Sequence, residues 1–235
     1  MSAPWKLLLR AVGVLVVLLL AVVVPVPQLG RADAAVEAMG GHMDVTVTRA
    51  VKPEDRARAD AIVVAAKRVM ARYPTVADAE RDGFKKFLPN VPLPTEHFTK
   101  DAWALEAWLG RFDLDHPTSL IYERHGDMLH LVGVMYTASK NASEQQLDAD
   151  VPLSIARWHR HVRICQPPAG SARDPRFGLP GTISDANACA AAGGRWVPQL
   201  FGWMVHVWPD ETDPARIWAV HRDEHGEMHG MAGMH

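Results

Sequence analysis

Cysteine is nearly absent from this chain of 235 residues: it occurs at Cys165 and Cys189 only. With no C-x-x-C spacing, a thioredoxin-like redox pair is excluded. A charge excess is missing as well. Lys and Arg number 25 against 27 Asp and Glu, a formal net charge of −2, and no basic stripe supplies the footprint that nucleic acid needs. The chain has no G-x-S-x-G elbow, no phosphate-binding glycine loop and no H-E-x-x-H. It offers no carboxylate pair suited to general acid catalysis and no internal repeat. What it has instead is histidine, 12 residues, and methionine, 10 residues.

The first segment carries Lys6 and Arg10, then an uncharged apolar run from Ala11 to Val24, then Pro25 and Ala32-Asp33-Ala34. This is the order of a secretory signal peptide over residues 1–34, which predicts an exported protein, periplasmic or extracellular. The run is shorter than the ~20 apolar residues of a comfortable span, so contact with a membrane is expected only if the signal stays uncleaved. Cleavage after Ala34 would leave 201 residues, enough for one domain with a real core. In an oxidising compartment Cys165 and Cys189 are expected to pair, a closure worth about 3 kcal/mol in the chain-entropy model. The alternative is Cys165 as a thiolate ligand.

Residues 35–52 read as a flexible arm containing Met39-Gly40-Gly41-His42-Met43. Residues 53–110 read as a helical layer. Pro53 begins a helix, with Glu54 and Asp55 at the positive end of its dipole and apolar residues at Ala59, Ile62, Val63, Ala66, Val69, Met70 and Tyr73, until Pro74 stops it. Here Met70 is core, not ligand. Thr75 and Asp78 form a capping box for a shorter helix that Gly83 ends. The prolines from Phe87 to Pro94 make an extended loop, Glu96-His97 follows it, and Asp101 to Leu109 is predicted helical, burying Trp103 and Leu105 or Trp108.

Residues 111–220 read as β-rich and part of the same domain. Ser119 to Arg124 and Met128 to Ala138 form a hairpin around His125-Gly126-Asp127. Strict alternation would put Met128, His130, Val132, Val134 and Tyr136 on one face of a central strand. Lys140 to Asp150 reads as a loop, Gln166 to Gly181 as an irregular excursion and Thr182 to Ala192 as a short helix. The expected fold class is α+β, with N-terminal helices packed on an antiparallel β-sheet or partial β-barrel.

The candidate chemistry lies in Trp158-His159-Arg160-His161-Val162-Arg163-Ile164-Cys165. On a strand, His159, His161 and Cys165 would project together. A second strand-like run, Phe201 to Trp208, puts Met204 and His206 on one face. His159, His161 and His206, with His116 as fourth candidate, compose a possible imidazole site for copper, or alternatively zinc or iron. Tyr122, Glu123 and Tyr136 are candidates to back those ligands.

The last fifteen residues, 221–235, carry four histidines and three methionines between glycines and cannot build a core. His225, Met228, His229, Met231, Met234 and His235 are donors suited to copper capture. The tail resembles the Met/His-rich segments of periplasmic copper-resistance and copper-delivery proteins, which implies copper handling and a metal-donor or acceptor protein as partner, but no fold. The H-x-H at His159 and His161 followed by His206 also resembles cupin metal sites. The glutamate that the cupin pattern wants is replaced here by the region of Arg163 and Cys165. The expected function is an exported copper-binding protein. The alternatives are a secreted mononuclear metalloenzyme, an oxidoreductase using the same histidines, and a non-metal ligand-binding or structural domain.

Overall fold

The computed structural model describes residues 41–89, 95–179 and 181–222. The signal peptide, Met39 and the tail from 223 onward lie outside them. Among the described residues, no helix is long and apolar enough to cross a membrane.

Among the described residues, eight antiparallel strands form one open sheet: β1 (Met43–Val45), β2 (Lys85–Lys86), β3 (Thr95–Thr99), β4 (Ser119–His125), β5 (Met128–Ala138), β6 (His159–Gln166), β7 (Arg195–Gln199) and β8 (Trp203–Val207). Their order across the sheet is β1-β6-β8-β5-β4-β3-β2, with β7 also paired to β6. Among the described residues, six helices accompany it: α1 (Pro53–Met70), α2 (Val76–Arg81), α3 (Asp101–Trp108), α4 (Glu144–Asp150), α5 (Ala186–Ala191) and α6 (Pro214–Ile217). The α+β class with helices on an antiparallel sheet is therefore observed, as an open sheet and not a barrel.

The main core lies between the helices and one sheet face. Ala59, Ile62, Ala66 and Val69 of α1 bury the predicted stripe against Val134, Tyr136, Val205 and Val207. The Asp55 carboxylate accepts the Lys52 backbone N–H at 2.9 Å, the Ser154 hydroxyl at 2.7 Å and both terminal nitrogens of Arg49, at 2.8 and 3.0 Å. One acid thus caps α1 and ties it to the segment entering β6. Thr75 and Asp78 make the reciprocal capping bonds of α2.

Several local expectations are corrected. The first turn of 140–150 is irregular, but Glu144–Asp150 is helical, because Ser143 and Gln146 form a capping box and Leu147 anchors the turn in the core. Glu96-His97 lies in β3, where Phe98 packs edge-on to Tyr122 with ring centres 5.0 Å apart. Trp103 is buried, whereas Leu105 and Trp108 are both exposed. The predicted helix at 182–192 begins only at Ala186, capped by Asp185. The arm expected over 35–52 contributes, in its described part, strand β1, and His42 and Met43 are buried.

Alternation along β5 also fails at one point. Ile121 stands opposite Gly133 and Tyr122 opposite Leu131, so Val132 is an extra residue and a β-bulge. The bulge moves Leu129 and Leu131 to the helix side with Val134 and Tyr136, and leaves Val132 with Met135 on the other. Gly133 is required there: a Cβ would fall 2.6 Å from the Trp208 ring and 2.7 Å from the Val207 carbonyl.

Candidate functional site

The sheet face away from the main core forms one wall of a cleft of about 1360 Å³. Period-two alternation places Met204, His206 and Trp208 of the β8 region on this side, while Trp203, Val205 and Val207 enter the helical core. His159 lies opposite Met204 on the neighbouring strand, and Met135 lies opposite His206. In β3, Glu96 and Phe98 turn inward, so Thr95, His97 and Thr99 line the cleft.

Six histidines line this cleft: His97, His125, His159, His161, His206 and His221. Ring centres are 4.8 Å apart for His159 and His206, 5.6 Å for His97 and His206, and 6.0 Å for His159 and His161. His161 sits on β6 one alternation beyond His159, as the H-x-H spacing predicts.

Each ring is held differently. The His206 Nδ1 lies 2.6 Å from the Val220 carbonyl. A carbonyl only accepts, so Nδ1 carries the hydrogen and Nε2 keeps its lone pair. Val220 is in place because 217–220 folds back along β8, where the Trp208 backbone N–H donates to the Ile217 carbonyl at 2.9 Å and its indole N–H to the Ala219 carbonyl at 2.8 Å. His159 is 1% exposed, and its Nδ1 is buried without a hydrogen-bond partner. Such an orphaned polar atom is costly in a protein interior.

Burial keeps His97, His159, His161 and His206 neutral. Burial pushes His97 down to about 4, against a weak opposing bond to Thr95 and with His221 adding to the effect. Burial likewise lowers His161 to about 4, followed by the His221 charge. His159 and His206 are driven well below the usual imidazole range, first by burial and then by their histidine neighbours. Their nitrogens are thus available as lone pairs at neutral pH.

Two expected site residues lie elsewhere. His116 is stacked on Trp103, with ring centres 4.6 Å apart, and its Nδ1 is 2.9 Å from Glu106 Oε2 at the α3 end of the fold. Cys165 is bonded to Cys189, with the Cα atoms 5.5 Å apart, in a separate cluster with Phe177. It does not share the cleft with His159 and His161, because Arg163 takes a left-handed backbone with φ 57° and breaks the alternation of β6. That turn is held by Arg163 Nη1 on Asp44 Oδ1 at 3.0 Å and by the His42 ring, whose nitrogens lie 2.8 and 2.7 Å from the Arg163 and Gly181 carbonyls. Of the proposed backing groups, Tyr122 and Tyr136 belong to the helical core, and Tyr136 donates to the Leu114 carbonyl at 2.8 Å. Glu123 reaches the cleft but is paired with Arg222 at 2.6 Å.

His97 and His221 were not among the expected site residues. The alternating Thr95-Glu96-His97-Phe98-Thr99 was the available sign of a strand, obscured by the prolines before it. Arg222, bonded to Glu123 and Glu211, anchors the residues that start the expected tail, so His221 belongs to the folded part.

Imidazoles sharing a metal at about 2.0–2.1 Å stand with ring centres about 5 Å apart, close to the separations here. The donor set fits a soft or borderline metal: neutral imidazoles, one orphaned nitrogen, and the thioethers of Met135 and Met204 on the same wall. Among the described residues, however, no group of three or more His, Cys, Asp or Glu side chains already meets the geometry of a metal centre. Rotation of the rings about their side-chain torsions would be needed to converge them. No protein-family model matches the chain, and no curated protein or solved structure matches it.

Proposed function

We propose that this protein binds a transition metal, copper before zinc or iron, through His159, His161 and His206, with His97 or His221 in the place first assigned to His116. The observation that carries the reading is the gathering of neutral imidazoles from β3, β6 and β8 around the buried, unpartnered Nδ1 of His159. The His206–Val220 bond supports it, since a ligating imidazole commonly donates its other nitrogen to a carbonyl that fixes tautomer and orientation. Methionine sulfur beside the rings favours copper, and the ion pairing of Glu123 leaves little for a hard cation. A compartment outside the cytoplasm accords with the disulfide. The tail donors His225, Met228, His229, Met231, Met234 and His235 would capture copper or exchange it with a donor or acceptor protein.

The test is copper titration with electron paramagnetic resonance on protein lacking residues 223–235, compared with its His159→Ala, His206→Ala double variant. The expected result is one Cu(II) per chain with nitrogen couplings, and affinity at least about 100-fold weaker in the variant. Equal uptake by both proteins would sink the proposal. The size of the cleft beside the histidines favours a second reading, a mononuclear metalloenzyme with an open coordination position. Turnover of an added substrate that disappears in the same variant would distinguish it from storage or delivery.

A further inference from the structure

A metal ion alone would leave nearly all of the 1360 Å³ cleft unfilled. Ligand clefts usually measure about 300–1,000 Å³, so this one has room for an organic molecule with one or more rings. Its walls are apolar. Phe87 and Phe201 meet edge to face with ring centres 5.2 Å apart, Trp208 lies over Gly133, and Met135 and Met204 fill the wall between strands. Trp108, 58% exposed, stands at the cleft on α3.

The polar groups that reach the cleft are of two kinds. The first is uncharged: the imidazoles of His97, His159, His161 and His206, and threonine hydroxyls such as Thr118 and Thr137, which bond each other at 2.7 Å. The second is charged but already compensated. Arg222 is paired with Glu123 at 2.6 Å and Glu211 at 3.0 Å, and Arg124 with Glu96 at 2.8 Å. A charged ligand would have to break one of these pairs, whereas an uncharged one keeps them.

We propose that the cleft binds a neutral, mainly apolar, ring-bearing molecule of the phenol or alcohol class, with its hydroxyl toward the histidines. The direction of the hydroxyl rests on the metal reading above; occupancy of the cleft does not. The aromatic walls supply contact area, and the neutral imidazoles and threonines supply the hydrogen bonds that orient one polar group.

The experiment uses the full-length, metal-free chain and the neutral fluorophore phenylnaphthylamine, displaced by thymol or by the anion toluenesulfonate. Two variants act on the cleft from different elements: Ala104→Trp on α3 fills its mouth, and Phe201→Ala removes part of its wall. The expected result is saturable binding of one probe per chain, displaced by thymol and not by toluenesulfonate, and weakened about tenfold in each variant. Circular dichroism confirms that each variant is folded. Absence of saturable binding, equal affinity in both folded variants, or displacement by the anion would overturn the proposal. Binding that appears only after deletion of residues 223–235 would also overturn it, by assigning the cleft to the chain's own tail. A parallel copper titration separates the two readings. Probe binding without copper uptake removes the metal and leaves the cleft ligand, while copper uptake without probe binding does the reverse.

Discussion

Gly133 determines where Trp208 lies, and Trp208 in turn flanks His206, with ring centres 5.4 Å apart. A Cβ at position 133 would meet both the indole and the Val207 backbone, and the backbone cannot give way without disturbing the β5–β8 ladder. Gly133→Ala is therefore expected to cost about 1–3 kcal/mol, read as a lower urea midpoint at unchanged slope. A shift of the Trp208 fluorescence should accompany it. A variant as stable as the parent would show that the indole moves freely, and with it that His206 is less firmly placed than the Val220 bond implies.

At the scale of elements, β6 divides into two halves with different partners. Its first half, with His159 and His161, faces the cleft; its second half, beyond the left-handed Arg163, carries Cys165 into the cluster with Cys189 and Phe177. The disulfide closes the excursion between β6 and α5, and its loss in a Cys165→Ser, Cys189→Ser double variant is expected to cost about 2–4 kcal/mol in thermal or urea unfolding. Copper affinity of the folded variant should stay within about twofold of the parent, a difference well under 1 kcal/mol. A large loss of affinity would return Cys165 to the list of ligands.

For the whole molecule, four of the histidines, His97, His159, His161 and His206, make stability depend on pH in a definite direction. Their folded-state values lie below the ordinary imidazole value, so both states are neutral above about 6.5 and the linkage is silent there. As pH falls below 6.5 the unfolded chain takes up protons that the buried rings refuse. Stability then declines until the folded rings also protonate, near about 4 for His97 and His161 and lower for His159 and His206. Urea unfolding of the metal-free protein between pH 7 and pH 4 should show this decline, and a His97→Asn, His161→Asn variant should show a shallower one. An identical slope in the two proteins would mean that carboxylates such as Asp55, held low by Arg49, dominate the acid response.

How much of this was legible without the fold differs from place to place. Composition and period determined the α1 stripe, the β4–β5 hairpin, the α+β class and the pairing of Met204 with His206 on one face, because these depend on neighbours within a few residues. The two cysteines in a chain with no others implied their disulfide. Alternation puts His159 and His161 on one face but cannot say that Cys165 turns away, and His206 is a candidate partner that only the pairing of β8 with β6 brings beside them. Tertiary structure decided the rest. Strand order brings β3 and the 217–222 segment to the same face as β6 and β8, which adds His97 and His221 and takes His116 to Trp103 and Glu106. The bulge at Val132 and the left-handed Arg163 reverse the facing of side chains that a strict period of two assigns elsewhere. Both are consequences of packing between distant segments, which no local pattern of residues encodes.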